Sequence, residues 1–323
     1  MTTIGIIGSE GKIGKKRYEI CKKNDNIDNI ELYDIKLERD YIDLINDNNS
    51  NIDAVFICVP HTLVAEVTIN CIKKGLHIFC EKPPAISLEE MLKINSEYKK
   101  NKVLMYGFNH RYLKHIQKAK EIIDSNILGD ILYIRGIYGK TYLENWRADK
   151  KYGGKGILLS QGIHMIDLFR YLSGKEFNVN GGFIGHHNKQ WYEDNVMCIL
   201  ESEDKKIGVS YQSSCILKKN TFNMNIGFEN GYIEIDGLSC SSTKSFGFPD
   251  KITIGYSDNE EFYGNPKTET FYYGEESGKN SWNIEVNNFI DTILNNKVDY
   301  ECNINDAVSV MKIIEEIYGK EII

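Results

Sequence analysis

Short β-branched runs alternate with helically spaced apolar positions through the first third of the chain. The runs at 3–7, 30–33, 53–59, 77–80 and 103–106 have the length and apolar content of buried strands. Between them, 13–23, 63–74 and 88–100 place apolar side chains at the three- and four-residue steps of one helix face. Ser87, followed three residues later by Glu90, forms a capping box that starts the last of these. Strands of this kind separated by helices predict a parallel sheet covered on both faces. That is the doubly wound α/β arrangement, and it takes ligands at the carboxyl ends of its strands.

After Asn126-Ile127-Leu128-Gly129-Asp130 the pattern changes. One helix is predicted at 162–172, then short strands at 195–200, 207–211, 221–226, 232–235, 251–256 and 269–273. Turns such as Glu229-Asn230-Gly231 and Ile235-Asp236-Gly237 separate them, as in a largely antiparallel sheet. Two helical patterns, 281–294 and 304–318, close the chain. The expectation is a dinucleotide-binding domain over 1–122 and an α+β domain over 123–323.

Composition narrows the function classes. A length of 323 residues suits two domains, and 41% hydrophobic with 26% charged residues is ordinary for a folded core. Lys+Arg 39 against Asp+Glu 46 leaves a net charge of −7, which repels phosphate backbones, so no nucleic-acid partner is expected. No apolar run approaches the ~20 residues of a membrane span, so no membrane partner is expected. The start, Met1-Thr2-Thr3-Ile4, lacks a basic stretch and does not read as a signal peptide. The 8 cysteines are scattered without a Cys-x-x-Cys, several inside apolar runs. A cytoplasmic, reduced protein is the expectation.

Chemistry enters at four places. The first strand runs into Gly8-Ser9-Glu10-Gly11-Lys12-Ile13-Gly14 and then a helix, where glycines let backbone N–H groups approach a pyrophosphate. The spacing is Gly-x-x-Gly-x-x-Gly rather than the usual Gly-x-Gly-x-x-Gly, and a plain structural turn is the alternative. Asp34, at the end of the second strand, stands where an acidic residue bonds ribose hydroxyls and repels a 2′-phosphate, which favours NAD. Lys36 and Arg39 follow closely and leave NADP open. An apolar strand delivers Glu81-Lys82-Pro83-Pro84 to the ligand edge, where the Lys82 ammonium can polarise a carbonyl or stabilise an alkoxide. Ser160, His164 and Asp167 fall at helical steps on one face, although a single helical histidine is more often structural than catalytic.

Weaker signals are set aside or left open. His186-His187 lacks further ligands at useful spacing, so no metal site is expected. Trp146-Arg147 offers an aromatic and a guanidinium for a polar ligand, with surface packing equally good as an account.

These residues together resemble the glucose–fructose oxidoreductase / inositol dehydrogenase / MocA family of NAD(P)-dependent oxidoreductases. The likeness runs over essentially the whole chain. It rests on the glycine loop, Cys58-Val59-Pro60, Glu81-Lys82-Pro83, Gly107-Phe108-Asn109-His110-Arg111 and Gly162-Ile163-His164-Met165-Ile166-Asp167. It implies a Rossmann domain followed by an open-faced sheet domain that forms the subunit interface of a homodimer or homotetramer. The final helix, about 304–318, then packs back on the first domain. It implies hydride transfer between nicotinamide and a hydroxyl or keto carbon of a sugar, with Lys82 and His164 catalytic. Cofactor contacts are implied for Gly8, Gly11, Lys12, Ile13, Asp34, Val59, Pro60, His61, Glu81 and Asn109. Arg111, Trp146, Arg147, Ser160, Gln161 and Asp167 are implied to bind or support the substrate.

Three departures bear on that expectation. The glycine loop carries an extra residue, as in dihydrodipicolinate reductases, though no counterpart of their catalytic segment is present. Val64 stands where many members have a histidine, four residues after Pro60 in the loop that follows the 53–59 strand. Ser160 replaces the carboxylate usual four residues before the histidine, and a hydroxyl cannot stabilise an imidazolium as a carboxylate does. The segment from Trp146-Arg147 to His164 looks most like members acting on nucleotide-activated amino sugars for surface glycans. The competing class is a dinucleotide-binding regulator without turnover, which Ser160 favours and which Lys82 and His164 disfavour.

Overall fold

The computed structural model describes residues 2–143, 145–188, 191–240, 246, 249–257 and 266–319. Its first part carries β1 (Thr2–Ile7), α1 (Lys12–Cys21), β2 (Ile27–Tyr33), α2 (Tyr41–Asn46), β3 (Ala54–Ile57), α3 (Val64–Lys74), β4 (His77–Cys80), α4 (Leu88–Glu97) and β5 (Leu104–Tyr106). The five strands form one parallel sheet in the order β2-β1-β3-β4-β5. Chain order reverses between β1 and β3, so the carboxyl ends of these two strands flank the switch point where such sheets bind ligands. All four residues of β3 are buried, as a strand sandwiched between helical layers requires.

Further along the chain come α5 (Lys114–Asp124), β6 (Ile131–Gly139), the single turn α6 (Lys150–Gly153), α7 (Ile163–Ser173), β7 (Phe177–Gly185), β8 (Asn195–Ser202), β9 (Gly208–Ser214), β10 (Thr221–Phe228), β11 (Gly231–Asp236), β12 (Asp250–Tyr256), β13 (Lys267–Tyr273), α8 (Glu275–Leu294) and α9 (Ile304–Gly319). The eight strands make a second sheet, β13-β12-β11-β10-β6-β9-β8-β7. Its pairings are antiparallel except β6 with β9. Inward positions of β8 and β10 are buried apolar residues, such as Val196, Leu200, Phe222 and Ile226, while Met197 and Ile199 on the other face of β8 are exposed. Among the described residues no helix is long and apolar enough to cross a membrane.

Two compact units emerge. One comprises Met1–Phe108, Asp149–Gly154 and Asn283–Lys312, the other Asn109–Ala148, Lys155–Trp282 and Ile313–Ile323. The first unit is thus built from three separate stretches of chain. Within it Phe289 of α8 packs edge-on against Phe56 of β3 and Phe79 of β4, at ring-centroid distances of 5.3 and 5.6 Å. Such pairs add roughly 0.5–1.5 kcal/mol beyond the area they bury.

Candidate functional site

In the first unit the loop from β1 to α1 is shaped by two glycines. Gly8 holds φ +81°, and a Cβ there would lie 2.5 Å from the Cys58 carbonyl oxygen. At Gly14 a Cβ would lie 2.2 Å from the Gly8 carbonyl oxygen, so the first helical turn closes directly onto the loop. Gly11 is the N-cap of α1 and contributes no side-chain cap. The opening N–H groups of a helix, here those of Lys12 and Ile13, point out of it and suit an anion. The extra loop residue is absorbed by Ser9 and Glu10: the Ser9 N–H reaches the Tyr33 carbonyl at 3.3 Å and the Glu10 N–H the Asp34 carboxylate at 2.9 Å. This cradle, with an acidic residue beside it, fits a dinucleotide.

Asp34 also accepts the Lys36 N–H at 3.0 Å, capping the short turn that follows β2. Arg39, left open as a phosphate partner, is engaged elsewhere. It donates to Glu31 at 2.6 Å and to the Tyr33 hydroxyl at 2.9 Å, with its guanidinium 4.3 Å from the Tyr33 ring centre. After β3 the chain leaves the sheet through Val59 and Pro60. His61 is buried with Nδ1 2.9 Å from the Gly153 carbonyl, so its ring braces α6 rather than standing open.

Glu81 and Lys82 follow β4, and the Lys82–Pro83 peptide is cis. Lys82 is half-buried. The Glu81 carboxylate takes the Arg17 guanidinium, with Nε donating at 2.8 Å. Arg17 is fully buried, pairs with Glu285 of α8 at 2.7 Å, and stacks 4.5 Å from the Phe79 ring centre. The two flanking carboxylates raise the Arg17 guanidinium pKa against the lowering effect of burial. Burial, the largest cause, lifts Glu285 to about 8, with the charge of Glu81 adding to the rise. Arg17 and Glu285 were not expected at the site. The one clue was a guanidinium at position 17 of the buried 14, 17, 21 stripe of α1.

In the second unit, Asn109-His110-Arg111-Tyr112 forms a buried turn. Arg111 grips Asp167 of α7 through Nε at 2.8 Å and a second nitrogen at 2.5 Å, both groups buried. Asp167 shares a helix with His164, but its charge is matched by Arg111. Arg111 and Asp167, expected to bind or support the substrate, are buried and bound to each other, a pairing that holds α7 in place. Asn109 likewise faces inward, with Oδ1 3.0 Å from His110 Nδ1 and Nδ2 donating to Ser281 at 3.4 Å.

Ser160 and Gln161 sit in the π-helical turn Leu158–Gly162 that leads into α7. Buried Glu193 fixes this turn by accepting the Gly156 N–H at 2.9 Å, the Leu158 N–H at 3.1 Å and the Tyr318 hydroxyl at 2.7 Å. Gln161 accepts the Tyr138 hydroxyl at 3.0 Å. His164, the second residue of α7, is buried and stacks on His110 with centroids 3.7 Å apart. Trp146 and Arg147 lie against each other, guanidinium to ring centre 4.5 Å. Glu193 and His110 were missed as site residues, since each acquires its role from distant partners. Among the described residues no three His, Cys, Asp or Glu side chains gather as a metal would need.

Comparisons with known proteins agree with this arrangement. Residues 2–109 match the family described as "Oxidoreductase family, NAD-binding Rossmann fold", and residues 116–234 match "GFO/IDH/MocA C-terminal domain". A levoglucosan dehydrogenase from Pseudarthrobacter phenanthrenivorans is 37% identical over 152 residues, 44% of this chain and 37% of that protein. A myo-inositol 2-dehydrogenase from Thermotoga maritima is 30% identical over 189 residues, 54% of this chain and 55% of that protein. The chain therefore matches about half or less of these relatives' lengths. A solved levoglucosan dehydrogenase, in complex with NADH and levoglucosan, superposes with a TM-score of 0.82 at 22% identity, covering 98% of this chain and 96% of that one. That likeness is one of fold.

Proposed function

The chain belongs to the GFO/IDH/MocA family of oxidoreductases, and from that we propose that it moves a hydride between NAD and a hydroxyl- or keto-bearing carbon of a sugar or cyclitol. One observation carries this reading. The parallel sheet that holds the Gly8–Asp34 cradle also delivers Lys82 at the carboxyl end of β4, the edge on which such sheets bind their ligands.

When bound, NAD supplies the hydride acceptor at its nicotinamide. Gly8, Gly11, Lys12 and Ile13 hold its pyrophosphate and Asp34 its ribose, while Val59, Pro60, His61, Glu81 and Asn109 frame the remainder, directly or by bracing the backbone. Lys82 orients the reacting oxygen and polarises it with its ammonium. His164 accepts the hydroxyl proton in oxidation and returns it in reduction. Trp146, Arg147, Ser160 and Gln161 form the sugar side, supported by the Arg111–Asp167 pair. In this reading 1–122 serves the cofactor, 123–323 serves the substrate and self-association, and the enzyme is a cytoplasmic homodimer or homotetramer.

The relatives' names, levoglucosan and myo-inositol dehydrogenases, support a free sugar or cyclitol. A nucleotide-activated amino sugar is the narrower reading drawn from the 146–164 segment. NADH absorbance followed with a panel of free sugars, cyclitols and nucleotide-linked amino sugars decides. Turnover with the first two classes is the expected result, and turnover with the third alone selects the narrower reading. Tight NADH binding with no turnover anywhere would overturn catalysis in favour of a sensor.

A further inference from the structure

His110 and His164 are stacked imidazoles, 3.7 Å between centroids and 15° from parallel, and both rings are buried. Two imidazolium charges at that separation repel strongly. At an intermediate effective dielectric the second proton would bind roughly two to three pH units below the first. The pair can therefore hold at most one added proton over most of the range in which a lone imidazole titrates.

The surroundings decide where that proton sits. Asn109 Nδ2 donates to Ser281 at 3.4 Å, which turns Oδ1 toward His110 Nδ1 at 3.0 Å. An amide oxygen accepts, so Nδ1 of His110 carries hydrogen, and this bond strengthens when the ring gains a second proton at Nε2. Cys240 Sγ approaches the same nitrogen at 3.9 Å. From β6 the Tyr138 ring faces His110 at 5.8 Å, held neutral by its burial, with the charge of Arg147 acting on it. From β10 the Phe222 ring faces it at 5.7 Å. On α7 itself, Asp167 is neutralised by Arg111. Ser160, one turn before His164, brings a hydroxyl rather than a charge.

We propose that His110 is the positioning residue for His164: it fixes the plane of the neighbouring ring and takes the one proton the pair holds, leaving His164 neutral to accept a substrate proton. This rests on the reading of His164 as the proton acceptor. It also gives Ser160 a place. A carboxylate there would draw the proton onto His164, whereas a hydroxyl leaves His110 to compete for it.

The test is a histidine nitrogen NMR titration of the full chain, with His110→Phe and His164→Gln used for assignment. In the wild type, one of the two imidazoles should stay neutral at about pH 5, and in His110→Phe the His164 midpoint should move up by one unit or more. Both rings charging independently near the ordinary histidine value would overturn the proposal. Turnover adds a second readout with myo-inositol and NAD. The wild-type acid limb of kcat/KM should fall about twofold or less and then hold a shoulder, whereas His110→Phe, flat but unable to hold a proton, should fall tenfold per pH unit. Identical limbs would overturn it. His164→Gln separates the two ideas: if it keeps full turnover, the acceptor reading fails even where the shared proton is seen.

Discussion

One carboxylate, Asp34, caps the turn after β2 and ties down the glycine loop through the Glu10 N–H. A 2′-phosphate brought to this place meets a fixed negative charge, while the nearby Arg39 is held by Glu31 and the face of Tyr33. NAD(H) should therefore bind at least tenfold tighter than NADP(H) by calorimetry. Equal affinities would assign the phosphate to Lys36. Lys82 gives a separate expectation at this scale. Lys82→Ala should lower kcat by about 10²–10⁴-fold, with cofactor affinity nearly unchanged, because an oxygen-polarising group acts in the transition state. Near-normal kcat would reduce Lys82 to a surface residue. The placement of both was legible in the sequence, since each follows a strand of the parallel sheet. His110 was legible only as part of a motif, because its meaning lies in the ring stacked on it.

Elements were read well where pattern alone defines them, and missed where packing does. Over 3–107 the five strands and the helices α1, α3 and α4 are close to the expected ones, with ends shifted by a few residues, whereas the short α2 was not expected. β6 and β7 escaped because glycines interrupt their alternation. In β6, Gly136 makes room for Phe169, whose ring would be 2.6 Å from any Cβ there. α5 escaped through its polar run Lys114-His115-Ile116-Gln117-Lys118, whose inward His115 is lowered by burial to about 3 and rests beside Asp250. The joint between α1, β4 and α8 supports a stability prediction. Glu285 keeps its proton to about 8 when folded against 4.5 for the free group. Its contribution is therefore complete below about pH 4.5 and is lost as pH rises toward 8. Urea melts across that window should show the wild type losing stability relative to Glu285→Gln, which has nothing to titrate. Parallel curves would sink the idea. Arg17→Met, which leaves the Glu81 carboxylate and the Glu285 carboxyl without their shared buried partner, should cost about 3–5 kcal/mol.

For the whole molecule, the outward face of the larger sheet carries the assembly prediction. Phe183, Met197 and Ile199 are exposed there on neighbouring strands, Phe183 directly opposite Met197. An apolar cluster of this kind suits a second copy of the chain. Light scattering at micromolar concentration should give a multiple of 37.1 kDa, and Ile199→Lys should return it to the monomer with its fold intact. A wild-type monomer would remove the sheet from the account. The sequence suggested such a face but not which strands carry it, because a surface strand and a covered strand share the same alternation.

The three-piece make-up of the first unit has a consequence for how the protein is born. Arg17 and its partner Glu285 are separated by 268 positions, which at ~5–20 residues per second is about 10–50 s of synthesis. During that interval Phe56 and Phe79 lack the ring that later covers them, and the guanidinium has only Glu81 to answer it. The nascent amino-terminal segment must then wait, unfinished, for the ribosome to deliver its closing helix. A fragment ending at residue 122 should accordingly be recovered as a protease-sensitive, chaperone-bound species. Supplying residues 283–312 in trans should restore its resistance.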